Sequence, residues 1–217
     1  MNKAQREQKI NDMLLKIRRD LQRMQDLLNP RLAPHGEALI SKAYLDRQVG
    51  KYLKPLTNSE VREHIQDLMQ ALQIPPLLNV PDGSGAVPYK KPVWDTEGDG
   101  PEHLDWRTRV AFGWASVGKM GGHKIRITKR AFLLFSDTTL RGVMLHEATH
   151  FALDTDDIHY SSFHLNSVLK DLPNGHKNAD NWRIFYQKMS KHFSSGIKEE
   201  APQLAPPVLG PPFKLRF

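Results

Sequence analysis

Cysteine is absent from all 217 residues. Disulfides and thiolate metal sites are therefore excluded, and any transition metal must be held by histidine and carboxylates. Long apolar runs are absent too: nothing reaches the roughly 18 consecutive apolar residues that a membrane span requires. The opening segment, MNKAQREQKINDMLLKIRRD, has no apolar stretch of the kind a secretory signal carries. The compartment is left open between the cytoplasm and export by a signal-independent route. Hydrophobic residues make up 39% of the chain, a low share that leaves room for segments outside a core. Acidic residues are outnumbered by Lys and Arg, 24 to 31, for a net charge of +7. The basic residues are scattered, without the one-sided patch and interleaved aromatics that nucleic-acid recognition uses. The charge is read as a soluble basic surface, and no nucleic-acid partner is expected.

What is present falls into four regions. Residues 1–75 read as an N-terminal helical region. Within it, Ile10, Leu14, Ile17, Leu21, Met24 and Leu28 keep a 4-3-4-3-4 spacing over a helix at 3–29, a heptad seam that could pack at home or against a partner helix or a delivery or immunity protein. Further helices are expected at 36–53 and 58–73, the second capped by Asn58 or Ser59 and buried through Val61, Ile65, Leu68, Met69 and Leu72. Residues 76–105, rich in Pro, Gly and Asp, read as a loop or linker. The region 106–195 opens with period-two alternation at Val110, Phe112 and Trp114 and again at Ile125 and Ile127, a β-hairpin at about 107–128. A helix capped by Ser136 or Asp137 follows, running to about residue 152, with two more at 161–172 and 178–194. The tail, 196–217, holds five prolines in its last 17 residues and reads as an extended arm. The expected fold class is α+β, mostly helical, with a small antiparallel sheet or hairpin before the helix that carries the site.

That helix contains HEATH. His146 and His150 stand four residues apart, so their rings project from one helical face and can share a cation. Glu147 is turned by about 100° from His146, which lets it reach the same pocket without entering the metal's ligand set, the place of a general base. Two exposed helix histidines with an acid between them would read the same way. Leu140, Val143, Met144 and Phe151 supply the apolar residues that bury such a helix, and a strand precedes it, the zincin order. A third ligand must come from beyond the helix, and spacing alone leaves Asp154, Asp156, Asp157 and His159 open.

At this point the sequence resembles a known family. HEATH followed by Thr155-Asp156-Asp157-Ile158-His159-Tyr160 is similar to the aspzincin signature, HExxH and then GTxDxxYG, carried by deuterolysins and peptidyl-Lys metalloendopeptidases. Asp154 and Ser161 stand where the family has glycine. Downstream, Asn178-Ala179-Asp180-Asn181-Trp182 resembles the family's NADNY segment. The likeness covers about residues 107–190. It implies a zincin-like fold and one zinc ion per chain held by His146, His150 and Asp157. It also implies Glu147 as the base that activates a water, and Tyr160 beside the developing oxyanion. His159 is then a neighbour rather than a ligand, and Asp154 and Asp156 are turn residues.

The resemblance further implies a zinc-dependent endopeptidase acting on protein or peptide substrates, and the hairpin edge strand at 123–128 can hold a substrate backbone by strand addition. In the lysine-specific members the aspartate of the NADNY segment and a glutamate three residues on face the substrate lysine. The corresponding substrate-binding residues here are Asp180 and Arg183, and a cation at the second position argues against lysine specificity. The N-terminal helices, the missing leader and the charge suit a bacterial toxin or effector. A zinc hydrolase of cell-wall peptides and a non-enzymatic helical interaction protein with a structural metal site are the competing readings.

Overall fold

The computed structural model describes residues 1–29, 31, 36–72, 93–95, 113–116, 124–158 and 172–195. All but the last residue of the expected helix at 161–172, nearly all of the 76–105 segment, the proline-rich tail, His159 and Tyr160 lie outside the described residues.

The chain is mostly helical. α1 (Lys3–Leu27) begins at an Asn2 cap whose side chain accepts from the Gln5 amide while Gln5 returns the bond, a reciprocal capping box. All six residues of its seam are buried. Their partners are helices of the same chain: α2 (Glu37–Tyr52), α3 (Asn58–Ala71), α5 (Asp137–Leu153) and α6 (Ala179–Ser194). The seam is thus consumed at home, the first of the two packings it allowed, and does not itself offer a face to a partner helix. Each fully buried Leu or Ile contributes about 1.5–3 kcal/mol, so the seam is a main anchor of the helical core. α3 is capped by Thr57, not by Asn58 or Ser59. Glu60 stands three residues on and closes the box through the Thr57 amide at 2.7 Å, an arrangement neither of the other two residues can make.

The strands are short: β1 (Val93–Asp95), β2 (Gly113–Ser116) and β3 (Lys124–Ile127), in the order β1-β3-β2. β2 runs antiparallel to β3 with Trp114 opposite Arg126, and β1 runs parallel to it with Trp94 opposite Ile125. The sheet is therefore mixed rather than antiparallel. β3 is paired on both sides, so it is not the free edge expected to receive a substrate backbone. β1 falls inside the segment expected to be loop, where three residues leave no readable alternation. Ile125 and Ile127 are fully buried. The short helix α4 (Lys129–Leu134), capped by Thr128, then leads through the Ser136 cap into α5.

α5 lies at the centre, touching α1, α3, α6, β2 and β3. Leu140, Met144, Leu145 and Ala148 have no exposed surface. Gly142 sets the approach of α6: a Cβ there would stand 2.3 Å from Gln187 Nε2 and 3.2 Å from Arg183 Cγ. Among the described residues no helix is long and apolar enough to cross a membrane.

Candidate metal centre

α5 carries His146, Glu147 and His150, and all three sit where the helix is packed rather than on a free face. His146 and Glu147 are buried, and the His150 side chain is 16% exposed. The helix ends at Asp154, whose φ of 51° and ψ of 43° place it in the left-handed region. Aspartate tolerates that conformation better than most residues, and glycine better still. The left-handed turn reverses the chain, and Asp157 comes back over the two histidines.

Three atoms meet there. His146 Nε2 lies 3.2 Å from His150 Nε2, and Asp157 Oδ1 lies 3.0 Å from the first and 3.2 Å from the second. Among the described residues, these form a cluster able to hold a metal ion. Two donors each about 2.0–2.1 Å from a tetrahedral ion stand roughly 3.3 Å apart, so the triangle fits one face of such a site. With no sulfur in the set, two imidazoles and one carboxylate suit zinc.

The other ring nitrogens are already committed. His146 Nδ1 is 2.9 Å from Asp180 Oδ1, and His150 Nδ1 is 2.6 Å from the Thr155 carbonyl oxygen. A carboxylate and a carbonyl can only accept here, so each Nδ1 carries its proton and donates. Each Nε2 is then left to present its lone pair to the cluster. Lone pairs that face one another at such distances call for positive charge between them. The titration of the rings reflects this. Burial alone would lower the pKa of His146, but its bonds to Asp157 and Asp180 and the nearby Glu147 charge outweigh burial and lift it to about 9. His150 is opposed by burial and by His146, yet is raised by Asp157, the Thr155 carbonyl and Glu147.

The segment bearing Asp157 is fastened at two points. The Thr155 hydroxyl donates to Thr149 Oγ1 at 2.9 Å, and Thr149 donates to the His146 carbonyl at 2.7 Å, so the returning chain is stapled to α5. Asp156 is exposed, but its main chain forms a parallel bridge: its amide donates to the Lys177 carbonyl at 2.8 Å, and the Ala179 amide donates to its carbonyl at 3.0 Å. The two stretches of family resemblance are thereby joined. The second is fixed in turn by Asn181 Nδ2, which donates to the Tyr52 carbonyl at 2.7 Å, and by Gly175, where a Cβ would meet that same oxygen at 2.3 Å.

Asp180 and Arg183, expected as substrate contacts, sit behind His146. Asp180 is 3% exposed. Arg183 engages it through Nε at 2.6 Å from Oδ1 and Nη2 at 3.1 Å from Oδ2. The structure thus brings together His146, His150 and Asp157 with Asp180 and Arg183 behind them, and leaves Asp154 and Asp156 as backbone turn and bridge. Tyr160 is outside the described residues. Sequence reasoning missed Thr149 and the Asp180–His146 bond; a buried threonine three residues after the first histidine carries no signal of its own.

No family model matches the chain, and no curated protein matches it. Among solved structures it is similar to a zinc peptidase from Grifola frondosa, at 14% identity and a TM-score of 0.44, over 86% of this chain and 96% of that one. The likeness is distant, and the chemistry of the cluster rests on its own residues.

Proposed function

We propose that the chain is a zinc-dependent endopeptidase of aspzincin type, with His146, His150 and Asp157 holding the ion and Glu147 as general base. One observation carries this reading: a two-histidine, one-carboxylate triangle with edges of 3.0–3.2 Å, next to a buried glutamate on the same helix. When bound there, zinc would lower the pKa of a water and polarise a peptide carbonyl.

The remaining work falls to the chain. The Glu147 carboxylate accepts the proton of the attacking water and returns it to the leaving nitrogen, a transfer commonly worth about 10²–10⁴-fold in rate. Both histidines feel its charge, which supports that role. Asp180 and the Thr155 carbonyl hold the imidazoles in the tautomer that offers Nε2. The Tyr160 hydroxyl is assigned to the developing oxyanion by family resemblance. The Asp180 carboxylate spends both oxygens on His146 and Arg183, so a preference for lysine beside the scissile bond is not part of the proposal.

Cleavage of casein by the wild-type protein, with and without chelator, and by Glu147→Gln tests the reading. Chelation should abolish cleavage and restored zinc should recover it, while the variant should keep its metal and lose activity at least a hundredfold. Equal cleavage by wild type and variant would sink the proposal. Turnover of purified peptidoglycan but not of unfolded protein would move the enzyme to the cell-wall class.

A further inference from the structure

Arg183 has no place in the chemistry proposed above, yet its side chain is only 16% exposed and its guanidinium meets both oxygens of one carboxylate. The acid it grips, Asp180, is one residue into α6 and nearly fully buried. Such a carboxylate has little water to orient it, and two rotatable bonds separate its oxygens from the backbone. The two Arg183 contacts, Nε to Oδ1 and Nη2 to Oδ2, fix both oxygens at once. Oδ1 is also the atom that receives the His146 Nδ1 proton at 2.9 Å. A chain of bonded atoms therefore runs from the guanidinium through one carboxylate to the imidazole whose Nε2 points into the donor triangle.

The stem of Arg183 is held as well. It lies against Gly142, one helical turn before His146 on α5 and on the same face. A Cβ at Gly142 would crowd this stem, 3.2 Å from Arg183 Cγ, and the Gln187 side-chain amide more closely still. The two helices thus meet twice along one line: bare backbone under the arginine stem, then carboxylate against imidazole.

We infer that Arg183 is a positioning residue for the metal centre, acting on His146 through Asp180. The inference rests on the zinc reading of the triangle, but it concerns the affinity and geometry of the site rather than the reaction. Lysine in its place would keep a charge near Asp180 but could not hold both oxygens in a plane. Loss of an outer partner of a ligating histidine typically weakens metal binding by about 10–100-fold.

A double-mutant cycle read by metal binding tests this. Apo wild type, Arg183→Gln, Asp180→Asn and the double variant are titrated with zinc against a competing chelator, and with cobalt to record the visible absorption of the bound ion. Arg183→Gln is expected to bind zinc roughly 10-fold or more weakly, with a broadened or shifted cobalt spectrum. The double variant should bind no worse than Asp180→Asn alone, because the arginine acts only through the acid. Arg183→Lys should recover part of the affinity, which a purely structural role for the side chain would not produce, and melting curves identify any variant that has lost its fold. Wild-type affinity in Arg183→Gln, or additive losses in the double variant, would overturn the inference while leaving the zinc reading intact. A wild-type protein that binds no zinc overturns both.

Discussion

One buried carboxylate, Asp180, sits at the start of α6 and another, Asp20, packs against its second half, and they are satisfied in opposite ways. Asp20, on α1, accepts from the Tyr186 hydroxyl at 3.1 Å, the Ser190 hydroxyl at 2.7 Å and the Lys16 ammonium at 2.6 Å. Every group around it donates. Tyr186 keeps its proton to donate, since burial and the Asp20 charge push its pKa far above the usual phenol range. This end is a closed polar knot that ties α1 to α6 and asks for nothing further. At the other end, Asp180 has donors behind it, but the next layer is a triangle of acceptor atoms at 3.0–3.2 Å. The difference teaches how a buried polar network becomes a binding site: one network balances its donors and acceptors, and the other leaves a surplus of lone pairs aimed at a single point.

Breaking each end separately should give non-overlapping losses. The largest effect is expected from His146→Ala or Asp157→Ala, each of which removes one corner of the triangle. Elemental analysis should fall from near one zinc per chain to a small fraction, while Tyr186→Phe keeps its zinc. Next, Asp20→Ala leaves the Tyr186 and Ser190 hydroxyls without their acceptor, at a cost of roughly 1–3 kcal/mol each. Denaturant unfolding should show that loss with metal content unchanged.

A smaller effect sharpens the contrast through pH. In metal-free protein the His146 pKa is raised from 6.5 to about 9. Its contribution to stability is therefore complete below 6.5 and is lost as pH rises through about 9. With zinc the sign reverses, because protons and metal compete for the same nitrogens and binding tightens as pH rises. Thermal melts at the two ends of this window, with and without chelator, should move in opposite directions. The smallest effect is expected at the helix end. Asp154→Gly removes a side chain from a left-handed residue and should raise stability by up to about 1 kcal/mol without altering zinc content.

Legibility in the sequence followed the range of the interaction. His146, Glu147 and His150 were readable because helical spacing alone puts them on adjoining faces. The α1 seam was readable as apolar periodicity, but its partner was not, since a heptad pattern looks the same whether it packs at home or elsewhere. Asp157 was reached only through family resemblance: four polar residues after the helix were equivalent until the left-handed turn at Asp154 fixed where the chain returned. Asp180 was placed on the substrate side because nothing local reports how α6 is rotated against α5; Gly142 and the Asn181–Tyr52 bond decide that. The Thr57 cap was present in the letters T-x-x-E and was passed over for its neighbours. β1 escaped because three residues carry too little pattern to stand out from proline and glycine.

The bridge between Asp156 and Asn178 ties the donor triangle to a second part of the fold. Two of the three donors lie on α5, and the third sits on a segment held both by the Thr155–Thr149 bond to α5 and by main-chain bonds to Lys177 and Ala179. The donor set is therefore complete only where α5, the returning segment and the start of α6 are joined. A metal ion held by all three donors would therefore stabilise that joint as well as the site. Amide exchange at Asp156 and Ala179 is where an added ion should slow the opening of the protein most.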